Sequence, residues 1–73
     1  MQSTSDLFFA AYVHAGGHRL DHLKPVGPRK KLFCFDVEEA TWKELWAGYV
    51  RGATVEALKY SNSIRTLKSL VAE

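Results

Sequence analysis

With 73 residues and a formal net charge of +2, the chain has room for one domain, and a chain this short buries only about 60% of its unfolded surface. Its 47% hydrophobic and 12% aromatic content marks a globular sequence rather than a disordered one. The single cysteine, Cys34, excludes an internal disulfide and with it a stapled secreted mini-protein, which favours a reducing cytoplasm, and no apolar run approaches the ~20 residues that a membrane span needs.

Met1 to Asp6 is polar and has no basic region ahead of an apolar one, so no signal peptide is expected. Met1 to Thr4 reads as loose chain or a short extension. Ser3 and Asp6 have capping-box spacing, and a first helix is expected from about Ser5 to Ala15. Phe8, Ala11, Tyr12 and Ala15 make one stripe on it, and Phe9 and Val13 widen that stripe, so this helix must be covered on more than one side. Gly16-Gly17 ends it.

His18 to Lys24 and Lys30 to Val37 read as two strands joined by Pro25-Val26-Gly27-Pro28, a turn that favours an antiparallel hairpin. Leu20 and Leu23 have opposite parity, which predicts a bulge or a ragged edge in the first strand. In the second, Phe33, Phe35 and Val37 share one parity. The period then changes from 2 to about 3.6, and Trp42, Leu45, Trp46 and Tyr49 fall on one helical stripe. Five of the nine aromatic residues lie between Leu32 and Val50, so the core is expected to assemble there.

The second helix is expected to start near Val37 or Glu38 with Asp36 as N-cap, and to end near Arg51-Gly52. A third is expected from about Thr54, with Ala57, Tyr60, Ile64, Leu67 and Val71 as its apolar seam. The economical packing is an α+β domain in which three helices cover one face of a two-stranded antiparallel sheet.

Few constellations carry chemistry. His14, His18 and His22 are spaced by four and Cys34 lies on the neighbouring strand, but Gly16-Gly17 breaks the helix that would align the imidazoles, and surface histidines are the preferred reading; neither a metal nor a cofactor is expected. Cys34 with a histidine could be a nucleophile and base, yet it stands between two phenylalanines, and a buried thiol is inert. Glu38, Glu39 and Glu44 are explained by their place at a helix start, and no glycine-rich phosphate loop precedes a helix. No enzymatic activity is expected. Trp42 and Trp46, one turn apart, read as core in preference to a stacking platform.

The charged residues are polarised along the chain. Between His18 and Lys31 stand five basic residues, Arg19, Lys24, Arg29, Lys30 and Lys31, against one acid, whereas four acids and one lysine lie between Asp36 and Glu44. A basic β-ribbon of this kind can follow a phosphate backbone, with Lys59, Arg65 and Lys68 as possible extensions, or it can be a solvated, aggregation-resistant edge.

Thr4-Ser5-Asp6-Leu7, the Gly17-His18 turn, Leu32-Phe33-Cys34-Phe35-Asp36, Tyr60 and the Leu67-Lys68 pair give the chain a further character. In these features it resembles a small uncharacterised family of short phage and prokaryotic proteins. That family has no assigned activity, so the resemblance implies a context, an accessory protein of a mobile element, and no functional residue. The expected function is a non-catalytic module in the cytoplasm that binds another protein. The alternative is a nucleic-acid-binding accessory protein that uses the basic hairpin, with Arg19, Lys24, Arg29, Lys30 and Lys31 as candidate contacts.

Overall fold

The structure, a computed structural model, describes residues 1–72. It is an α+β arrangement of three helices and a three-stranded antiparallel sheet, in the order β1 (Gln2–Thr4), α1 (Leu7–Ala15), β2 (Leu20–Pro25), β3 (Lys31–Phe35), α2 (Glu39–Val50) and α3 (Ala57–Val71). The expected two-stranded sheet is therefore incomplete. β3 lies in the centre, with β2 on one side and β1 on the other. Three short residues at the start of the chain carry almost no strand signal of their own; the open edge of β3 supplies one. Gln2 stands opposite Phe35, Ser3 opposite Cys34 and Thr4 opposite Phe33.

The β2–β3 register explains the unequal parity of the two leucines. Leu20 pairs with Phe35, but His22 pairs with Cys34 and Leu23 with Phe33, so Asp21 is an extra residue in a bulge. The bulge returns Leu20 and Leu23 to the face that carries Phe33 and Phe35, and both leucines pack against the core formed by Phe9, Ala10, Ala11, Val13, Phe33, Phe35 and Leu67. The hairpin turn closes through the Val26 amide, which donates to the Lys30 carbonyl at 2.9 Å.

α1 begins later than expected, and Ser3 does not cap it. Asp6 is the N-cap; its carboxylate accepts from the amides of Phe8 and Phe9 at 2.9 and 3.2 Å. Thr4 Oγ1 in turn accepts from the Asp6 amide at 3.1 Å. The buried residues are Phe9, Ala10, Ala11 and Val13, while Phe8 is 55% exposed. Of the expected stripe, Phe9, Ala11 and Val13 are buried and Tyr12 packs on the core, and Phe8 is the residue that falls outside it. A helix that is apolar nearly all round gives its periodicity no phase, and only the elements packed on it decide which side is inside.

α1 and α2 stop in the same way. At the end of α1 the His18 amide reaches the Val13 carbonyl and the Gly17 amide the His14 carbonyl, with Gly17 at φ +95°. At the end of α2 the Ala53 amide reaches Gly48 and the Gly52 amide reaches Tyr49, with Gly52 at φ +81°. Both are paired six-to-one and five-to-two closures around a left-handed residue, which glycine adopts without steric cost. The starts differ from expectation. Glu38, not Asp36, is the N-cap of α2 and makes no side-chain capping bond. α3 starts at Ala57, three residues after Thr54, and Ala57 itself is exposed. Tyr60, Ile64, Leu67 and Val71 of the expected seam do pack on the core.

Adjacent phenylalanines in α1 give a direct test of this packing. Phe9→Ala should lower the unfolding free energy by about 3–5 kcal/mol, whereas Phe8→Ala should cost less than about 1 kcal/mol because half of that ring is already in water. Urea unfolding of the two variants distinguishes them, and equal losses would overturn the phase of α1.

Candidate functional site

Two surfaces and two polar clusters carry the chemistry of this chain. The first surface is at the turn end of the hairpin. Arg29 and Lys30 lie in the turn and Lys31 opens β3; with Lys68 in the last turn of α3 they line a cleft of about 170 Å³. Ser5, Leu7, Phe33 and Val71 complete its wall. Three parts of the chain distant in sequence meet here, so the cleft was not legible from the run Arg29-Lys30-Lys31 alone.

The five hairpin cations do not form one ribbon. Arg19 lines a different cleft, of about 380 Å³, with His18, Leu20, Asp21, Asp36 and Val37. Five strand steps of about 3.3 Å separate Leu20 from Pro25, which places roughly 16 Å between the two ends of β2. Asp21 and Asp36 also offset Arg19 locally. Lys24 is exposed on β2 opposite Leu32 and belongs to neither lining. Of the three possible extensions, Lys68 joins the turn-end group, while Lys59 pairs with Glu56 at 3.7 Å.

The second surface is aromatic. Phe9 is the hub: Trp42 and Trp46 meet its ring edge-on with centroids 5.1 and 5.0 Å away, and Tyr49 is tilted against it at 5.3 Å. Trp42 also packs on Phe35. The tryptophans differ in exposure, contrary to the expectation that both are core. Trp42 is half-buried against the core, whereas Trp46 is 49% exposed. Val50, one turn further along α2, is more exposed still. Tyr60 on α3 donates its hydroxyl to the Phe8 carbonyl at 3.2 Å. Burial first, and then the neighbouring Tyr49 and Asp6, raise the Tyr60 pKa above its ordinary 10.0.

The histidines go to three places. His14 Nδ1 lies 2.7 Å from Ser63 Oγ, a tie between α1 and α3. Ser63 is 4% exposed and neither residue lines either cleft, so this pair fastens the two helices. Ser63 falls three residues after Tyr60 and four before Leu67, and a serine on an apolar seam was the available signal for a buried polar tie. His18 lines the cleft of Arg19. His22 stands opposite Cys34 in the register, and its Nδ1 is 2.6 Å from Asp21 Oδ2. The Cys34 residue is only 5% exposed, and its Sγ faces the Leu32 carbonyl at 3.9 Å. Among the described residues no three His, Cys, Asp or Glu side chains converge on a common point, and no helix is long and apolar enough to cross a membrane.

Comparison with family models, curated proteins and solved structures gives no match to this chain.

The raised Tyr60 pKa has a measurable consequence. The unfolded chain loses this proton first as the pH climbs past about 10, and so binds fewer protons than the folded chain. The stability it contributes is complete below that pH and falls as the pH rises through the raised folded value. Tyr60→Phe removes the ionisation, so its urea midpoint should decline less than that of the wild type between about pH 9 and pH 11. Parallel declines would show that Tyr60 is not perturbed.

Proposed function

We propose that this chain is a small non-catalytic interaction protein that docks a protein partner, an accessory protein of a phage or another prokaryotic mobile element acting in the cytoplasm. The mobile-element context rests on the resemblance carried by the Thr4-Ser5-Asp6-Leu7 start and the Leu32 to Asp36 strand. The docking reading rests on one observation: Trp46 is half in solvent while its inner edge is held against Phe9 and Tyr49. Tryptophan and tyrosine dominate the energetics of protein interfaces because each offers a large contact area at a low cost in side-chain entropy. A ring already fixed by its neighbours loses still less freedom on binding. Val50 on the same side of α2 extends the apolar area.

Nucleic-acid binding is the second reading, and the clustering of Arg29, Lys30, Lys31 and Lys68 favours it. The separation of Arg19 from that cluster counts against it, since a continuous ribbon would neutralise more phosphates.

Two measurements separate the readings. Trp46→Ala should abolish capture of the partner from a prokaryotic or phage lysate, and capture by the wild type should persist in high salt; retention by Trp46→Ala would sink the aromatic docking surface. With labelled duplex, four phosphate contacts would give a slope of log K against log salt of about −3.6. A slope of that size, flattened when Arg29, Lys30 and Lys31 are replaced by Ala, would move the assignment to nucleic acid.

A further inference from the structure

α2 gives one side to the core and leaves the other bare. Trp42, Leu45 and Tyr49 pack inward. At about 100° per residue, the opposite side of the helix is centred on Ala47, which is exposed. Trp46 and Val50, 49% and 63% exposed, flank Ala47 on one side. Glu44 and Arg51 flank it on the other; both are exposed, and Arg51, the C-cap, keeps a helical backbone. Among the described residues neither Glu44 nor Arg51 has an ion-pair partner. Lys43 stands at the N-terminal edge of this face and is paired with Glu39 at 3.3 Å.

Each flank is complementary to itself when the helix is reversed. A twofold axis perpendicular to α2, passing beside Ala47 and Gly48, lays a second α2 antiparallel on the first. On one flank Glu44 then meets Arg51 of the second copy, and Arg51 meets its Glu44. On the other flank Trp46 meets Val50 of the second copy, and Val50 its Trp46. With a rise of about 1.5 Å per residue, the partners on both flanks come level to within about 1.5 Å. A parallel pair would instead set the charged flank of one helix against the apolar flank of the other. Ala47 at the crossing lets the axes approach to the lower end of the 8–10 Å range usual for packed helices.

The charges permit this contact. Glu39, Lys43, Glu44 and Arg51 sum to zero on the face of each copy, so the two faces do not repel. Lys43 comes to the C-terminal end of the second α2, where the helix dipole favours a cation. Because the bare face is opposite the inward side of α2, the bodies of the two copies lie on far sides of the helix pair.

We propose that this chain forms an antiparallel homodimer through the outer face of α2, with paired Trp46–Val50 contacts on one flank and paired Glu44–Arg51 bridges on the other. The interface is isologous, the form that closes at two copies. The proposal rests on the reading of Trp46 as a docking residue and names a second copy of the chain as its occupant; a heterologous protein binds there in exchange for that copy. One pair of crossing helices falls short of the roughly 800 Å² per partner of a standard stable interface. The dimer is accordingly weak, with a Kd of about 10–100 μM.

The test is sedimentation equilibrium of the full chain in ~50 mM salt. Its variants are Trp46→Ala, Glu44→Arg, Arg51→Glu and an equimolar mixture of the two charge reversals. Thermal melting of each variant confirms that it is folded. Trp46→Ala should weaken the dimer by about tenfold or more. Each charge reversal alone sets like charges against one another twice per dimer and should also weaken it by about tenfold or more. The mixture should dimerise within about threefold of the wild type, because each bridge is restored across the two chains with its sign exchanged. Net charge does not account for that pattern. Glu44→Arg adds two positive charges to the net +2 of the chain and Arg51→Glu removes two, so the mixed pair carries the same total as two wild-type copies.

A mixture that stays as monomeric as its components would overturn the antiparallel register. Dimerisation of either charge reversal at the wild-type level would overturn the Glu44–Arg51 bridges, and of Trp46→Ala at that level the apolar flank. A wild type that is monomeric at about 1 mM would overturn the dimer outright. The lysate experiment would then decide capture through Trp46 by itself, since that capture does not use Glu44 or Arg51.

Discussion

The position of α2 depends on the ring of Phe9. Among the described residues α2 buries only Gly48 completely. α3, by contrast, buries Ser63 and Leu67. What holds α2 is a set of ring contacts: Trp42, Trp46 and Tyr49 each lie within 5.3 Å of the Phe9 centroid, and Tyr49 also meets Tyr12 at 5.4 Å. Offset and edge-on aromatic pairs contribute roughly 0.5–1.5 kcal/mol each beyond the area that they bury. In a chain whose total stability is expected to be marginal, such a group of pairs decides whether the helix is docked. Gly48 belongs to the same constraint. A Cβ there would stand 2.9 Å from the Tyr12 hydroxyl, so a side chain at this helical position would push the end of the Tyr12 ring aside.

This mode of attachment leads to the exposed tryptophan. A single phenylalanine offers limited surface, and Trp42 and Tyr49 take much of it. Trp46 reaches the hub edge-on and keeps its outer half in water. A helix fastened by a leucine seam would have no such outward ring. The contacts that stabilise the fold therefore also fix the orientation of the residue to which we assign the docking of a partner, so that stability and recognition share Phe9 as a support.

Much of this could be read in the sequence where the pattern had a single solution. The alternation through Phe33 and Phe35 specified β3, glycines specified both helix ends, and the mismatched parity of Leu20 and Leu23 pointed to a bulge or ragged edge, which the register places at Asp21. Where a pattern had several solutions, tertiary context chose. α1 is apolar on nearly every side, so Phe8 and Phe9 could not be ranked without knowing what covers them. Gln2 to Thr4 are polar and short, and nothing in them announces a strand; the unpaired edge of β3 does, and that is a property of the folded hairpin. The candidate site shows the same division. Arg29, Lys30 and Lys31 are adjacent in the chain and their proximity was evident. Leu7 and Val71 reach the cleft from opposite ends of the sequence and convert a basic turn into a seat with an apolar floor.

The cleft itself follows from unequal strands. β2 pairs with β3 from Phe35 to Lys31, but β1 pairs only from Phe35 to Phe33. After Thr4 the chain turns away, because Thr4 Oγ1 accepts from the Asp6 amide and the Asp6 carboxylate takes the first amides of α1. The first helical residue, Leu7, then stands beside the segment of β3 that β1 no longer flanks, and the last turn of α3 closes the remaining side with Lys68 and Val71. Two further residues of strand before the cap would carry the chain past Leu32 and Lys31 and fill this space with backbone. The N-cap at Asp6 thus does more than satisfy two amides. By stopping β1 at Thr4 it leaves a recess where the hairpin's cations and the apolar ends of two helices meet.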